Sequence, residues 1–107
     1  LSTGTGFFTV AANTNGTTPV SVFGTSGLST AVTITGVFLI AQDTTAGNIT
    51  VENPLSTVVC TIAKGTSSGA CVGATTLANT AVAAGTNLLV NSSSAGNARV
   101  FITFTAA

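Results

Sequence analysis

No long stretch of this chain is free of residues that interrupt a helix. Thr, Val, Gly, Ser and Asn dominate it. All but Val favour turns, caps or strands over helix interiors, and Val, being β-branched, favours strands. The one Ala-rich stretch, Ala78–Ala84, contains Asn79 and Thr80 and runs into Gly85, which makes it too short to stand as a helix. Strand-like segments recur instead at short, even spacing. They fall near Gly6–Ala11, Pro19–Phe23, Ala31–Ala41, Asn48–Glu52, Thr57–Ala63, Ala70–Ala74, Thr86–Asn91 and Ala98–Thr105. The links between them carry Gly, Asn, Asp, Pro and Ser. About eight short strands separated by such turns predict an all-β, antiparallel β-sandwich or jelly roll. A length of 107 residues suits one domain with one core, residues 1–107.

Alternation along the strands says where the core lies, and it fails in informative places. In Ala31–Ala41, Val32, Ile34, Phe38 and Ile40 share a face with Gly36. The opposite face begins polar at Thr33 and Thr35, then turns apolar at Val37 and Leu39. Either Gly36 marks a β-bulge that flips the register, or the second half of the strand is covered on both faces. Phe101 likewise opposes Val100, Ile102 and Phe104, and Leu89 opposes Leu88 and Val90. Val37, Leu39, Leu89 and Phe101 are therefore candidates for a second apolar surface, and such surfaces mark interfaces.

Charge is scarce. Lys64, Arg99, Asp43 and Glu52 are the only charged residues, 4% of the chain with a net charge of zero, against about 25% in a typical domain. A neutral chain is steered neither to nucleic acid nor to an anionic membrane. It also lacks the repulsion that keeps copies apart. The longest apolar runs, such as Val37-Phe38-Leu39-Ile40-Ala41, fall well short of the ~18–20 residues of a spanning helix. Residues 1–30 show no basic segment followed by a long apolar one, so no secretory signal is expected there.

Catalysis is not expected. There is no His, Tyr, Trp or Met, so the usual general base and the commonest neutral metal ligand are missing. A carboxylate pair could only be Asp43 and Glu52; Asp43 sits in a turn sequence and Glu52 precedes Asn53-Pro54, places where local backbone bonding accounts for them. The sequence offers no catalytic residue, no metal site and no cofactor site. Glycans and single-stranded nucleic acid call for aromatic platforms, the latter with positive charge; here there are six Phe and two cations.

Cys60 and Cys71 are the sharpest local feature. If residues 60–71 form a hairpin centred on Gly65-Thr66, Cys60 faces Cys71 directly, and Gly at the first central position matches a type II′ turn. Directly opposed Cα atoms can lie close enough for a disulfide. Two states are open to the pair: a cross-strand bond, or two reduced, buried thiols. Lys64 falls at the turn of that hairpin, where burial is not expected, and this disfavours a Lys–Asn cross-link.

Asp43-Thr44-Thr45-Ala46-Gly47-Asn48-Ile49-Thr50-Val51, together with Ile62–Ala70 and Val82–Val90, resembles segments of small β-sandwich virion proteins of tailed bacteriophages, the capsid decoration (cement) proteins and fibre domains. The resemblance lies in texture across much of the chain and brings no functional residues with it. It implies a homo-oligomer, often a trimer, seated on a capsid lattice, with copies of itself and a capsid protein as partners and the virion as its location. The first expectation is a structural virion protein. The alternatives are an extracellular filament or pilus subunit, in which Leu1–Thr14 completes a neighbour's sheet, and an adhesin or glycan-binding domain.

Overall fold

A computed structural model describes residues 7–14, 16–42, 46–64, 69–94 and 97–106. Among them there is no helix. The strands, in chain order, are β1 (Phe7–Asn13), β2 (Val20–Ser21), β3 (Val32–Gln42), β4 (Gly47–Glu52), β5 (Val58–Lys64), β6 (Ala70–Val72), β7 (Ala81–Val82), β8 (Leu89–Ser92) and β9 (Ala98–Ala106). They form two packed sheets in which every pairing is antiparallel. The larger sheet runs β1-β9-β3-β6, with β7 also on β3; the smaller runs β2-β8-β4-β5. The chain is a β-sandwich, as its turn-punctuated strands predict. The strand not anticipated is β7, which lies in the Ala-rich stretch and pairs with Val32 and Thr33.

Alternation builds the core. Ala98, Val100, Ile102 and Phe104 of β9 point inward, against Val32, Ile34, Val37 and Leu39 of β3 and Ile49, Val51, Cys60, Ile62 and Val90 of the smaller sheet. Phe104 is fully buried and central. The Phe8 ring stacks on it at a centroid distance of 5.0 Å, and Phe23 meets it at 5.2 Å. Burying side chains of this size stabilises by about 1.5–3 kcal/mol each, before chain entropy is subtracted.

The failed alternation in β3 resolves as a bulge. Ile34 pairs with Phe104 and Gly36 with Thr103, so Thr35 is the extra residue. Both Thr35 and Thr103 lie on the outer side, with their hydroxyls 2.8 Å apart. Beyond the bulge the faces exchange: Val37 and Leu39 turn inward, while Phe38 and Ile40 turn out. A Cβ at Gly36 would sit 2.8 Å from Phe38 Cε1 and 2.9 Å from Thr103 Oγ1, so both side chains would have to shift to admit one.

Candidate functional site

The four residues expected to make a second apolar surface separate. Val37 and Leu39 are 0% and 1% exposed and belong to the core. The bulge puts them there, so neither is available to another molecule. Leu89, 7% exposed, is buried as well. It lies outside the central core, opposite Ser21 and Glu52 in the ladders. Only Phe101 remains at the surface, at 36% exposure.

Phe101 is not alone there. On the outer face of the larger sheet it pairs with Ala11 of β1 on one side and Phe38 of β3 on the other. Phe38 in turn pairs with Ala70 of β6. Ile40 and Val72, 44% and 52% exposed, extend this row at either side. Ala11, Phe101, Phe38 and Ala70 thus form one apolar line across four strands, with a shallow depression of about 390 Å³ beside Phe38, Ile40, Gly69 and Ala70. Sequence parity assigned Phe38 and Ile40 to the core, because parity reads through a bulge without seeing it. Thr33, Thr103 and Thr105 flank the line, and Arg99 is the charged residue of β9, its Nε donating to Asn13 Oδ1 at 2.9 Å. These side chains make a contiguous apolar patch on the outer face of the larger sheet.

Cys60 and Cys71 are joined by a disulfide, with Cα atoms 6.3 Å apart. The partners do not face each other across a hairpin. β5 pairs with β4 in the smaller sheet, whereas β6 pairs with β3 in the larger one. The bond therefore ties the two sheets together through the core, where both cysteines are buried. The expected hairpin centre, Gly65-Thr66, lies outside the described residues. Gly69, next to β6, would bring an added Cβ to 2.7 Å from Ile62 Cγ2, so the chain passes close to β5 before it joins the other sheet. Lys64, expected at an exposed turn, is instead buried at 2% exposure, because β5 continues through it with Cys60, Ile62 and Lys64 sharing the inner parity.

Of the two carboxylates considered for chemistry, Asp43 lies outside the described residues. Glu52 is buried and structural: Ser56 N donates to its Oε1 at 2.6 Å and Asn91 Nδ2 to its Oε2 at 3.4 Å. The adjoining Asn53 donates from Nδ2 to the carbonyls of Asn79 and Ala81, at 2.7 and 3.0 Å. It links the β4–β5 turn to the strand that edges the opposite sheet. The open groove beside it, about 730 Å³, is lined by Asn53, Asn79, Thr80, Thr86 and Asn87 among others, with no aromatic side chain. That lining offers a sugar ring hydrogen bonds but no platform. No family model matches the chain, and neither does any curated protein or solved structure.

Proposed function

We infer that the chain is a structural subunit which works by association rather than catalysis, a virion decoration or cement protein in which copies of itself and a capsid surface are the partners. The observation that carries this reading is the apolar line Ala11–Phe101–Phe38–Ala70, with Ile40 and Val72, on a protein with four charged residues. With so little charge, adhesion must come from apolar fit and from backbone and Thr hydrogen bonds, so it is insensitive to salt. The virion setting comes from the texture of residues 43–51, 62–70 and 82–90. Between this and the filament alternative, the pairing of β1 with β9 of its own chain favours a closed domain over one that donates its first strand. The aromatic-free groove disfavours the glycan-binding alternative.

Electron cryo-microscopy of the particle from which the chain comes tests the reading, paired with Phe101→Ser. The substitution lies on the outer face of a central strand, opposite Phe38 and 36% exposed, and should cost about 1–2 kcal/mol of stability while the fold is kept. It should weaken attachment to the particle or to other copies by roughly ten- to a hundredfold, the value of one buried Phe. Attachment unchanged in Phe101→Ser, or a particle whose subunits touch through another face, would sink it.

A further inference from the structure

Among the described residues four edges bound the two sheets, and three are short or partly capped. β2 ends the smaller sheet with two residues; β6 and β7 end the larger one with three and two. Edges so short give a neighbour little to pair with. β5 has seven residues, and its outer side is capped at the first two. Ala78 N donates to Val59 O at 3.0 Å, and Asn79 Nδ2 to Val58 O at 2.8 Å. The fourth edge, β1, is different. Its seven residues, Phe-Phe-Thr-Val-Ala-Ala-Asn, hold no charge and no proline, and their register with β9 is unbroken. Among the described residues, no strand pairs with its outer side.

The free hydrogen-bonding groups of this edge can be named. Thr14 N donates to Ala98 O at 2.8 Å, one step past the Asn13–Arg99 pair. Antiparallel ladders alternate, so Phe8, Val10 and Ala12 direct their N–H and C=O groups to β9. Phe7, Thr9, Ala11 and Asn13 direct theirs outward. The core-facing side chains of the edge are also incompletely covered: Phe8 is 38% exposed although it stacks on Phe104, and Val10 is half-buried.

We propose that β1 pairs antiparallel with β1 of a second copy of this chain, joining two larger sheets into one continuous sheet; the proposal rests on the assembly reading above and gives it a first contact. Centred on Val10, the register sets Phe7 opposite the second copy's Asn13 and Thr9 opposite its Ala11. Every outward N–H and C=O of Phe7, Thr9, Ala11 and Asn13 then meets a partner, and the two-fold makes the interface self-complementary. Phe8 and Val10 gain a neighbour on their open side. Charge permits it: the two Arg99 side chains fall at opposite ends, about 20 Å apart along the strands, beyond a screening length of about 8 Å. Each copy's apolar line reaches the junction at Ala11, which faces the second copy's Thr9, so the two lines run side by side, offset by two residues along the strands.

The test uses the full-length chain, with amide exchange resolved by residue at rising protein concentration and sedimentation equilibrium alongside. Thr9 and Ala11 amides should slow by roughly tenfold or more as dimer forms, while Val10 and Ala12 stay protected throughout. Thr9→Pro removes an outward N–H and no bond to β9, and should weaken the dimer by roughly tenfold or more. Should that variant fold poorly, the double variant Thr9→Lys with Ala11→Lys places like charges side by side at exposed positions and should act the same way with its melting temperature kept. Thr9 and Ala11 exchange that does not depend on concentration overturns the proposal, whether slow, as when residues 1–6 or a foreign strand hold the edge, or fast. A dimer that survives the lysines but dissolves in Phe101→Ser overturns edge pairing and leaves association through the face standing. A chain that stays monomeric also overturns edge pairing, while the particle experiment still decides the structural reading.

Discussion

β1 and β5 are both seven-residue edge strands, yet they meet their surroundings differently. β5 is held more firmly: β4 pairs with it, the 60–71 disulfide binds it to the opposite sheet, and Ala78 and Asn79 cap the carbonyls of Val59 and Val58 at its start. β1 is held on one side by β9 and from below by the Phe8–Phe104 stack. Natural sheets guard long edges because an unpaired strand recruits another. Among the described residues the outer side of β5 is partly capped and that of β1 is neutral and unpaired, which is the ground for proposing β1 as the contact edge, and the apolar line beginning at Ala11 runs inward from it.

Substitutions at or beside either strand test this difference. Phe104→Ala removes the ring on which β1 rests and should cost about 3–5 kcal/mol. Thermal or denaturant unfolding measures the loss, and amide exchange along β1 should rise before the rest of the sheet opens. If β1 keeps its protection while the remainder loosens, the stack is not what holds it. On the β5 side, replacing both Cys60 and Cys71 with Ala should lower stability by about 3 kcal/mol in the chain-entropy model, for a closed loop of this size. The same denaturation experiment in oxidised and reduced wild-type protein should give a matching difference. The smallest effect is the most specific. Asn79→Ala removes one roofing hydrogen bond and puts Ala at a φ of 52°, so it should cost about 1–2 kcal/mol, but it should make β5 resemble β1. Light scattering at rising concentration should then show association beyond the wild type; scattering equal to wild type would mean that the backbone bond from Ala78 closes the edge unaided.

Much of this was legible in the sequence, and the misses share a cause. Strands with local alternation and flanking turn residues, β3, β4, β5 and β9, fall close to where the residues place them. β7 has no local signature: Ala81 and Val82 are a strand only because Val32 and Thr33 lie opposite. The two cysteines are placed together by a symmetric hairpin argument that has the wrong topology. Local spacing cannot tell a turn within one sheet from a crossing between two. The assembly surface shows the same limit at finer scale. Gly36 was the visible sign of a bulge, but only the β9 register says that the faces exchange there. The residue inserted at Thr35 trades Val37 and Leu39 for Phe38, and a second shift between Leu39 and Ala41 leaves Ile40 as a further inserted residue at the surface. Phe101 keeps its face because β9 pairs with β1 without a shift. Leu89 is buried outside the core cluster, where parity alone offers no guide.

The most direct test is sedimentation of the full-length chain over a wide concentration range, repeated between about 0.05 and 1 M salt. Association through a neutral edge and an apolar face predicts species larger than one chain, with constants that hold or strengthen as salt rises. A single-chain species at every concentration, or complexes that dissolve as salt is added, would contradict it.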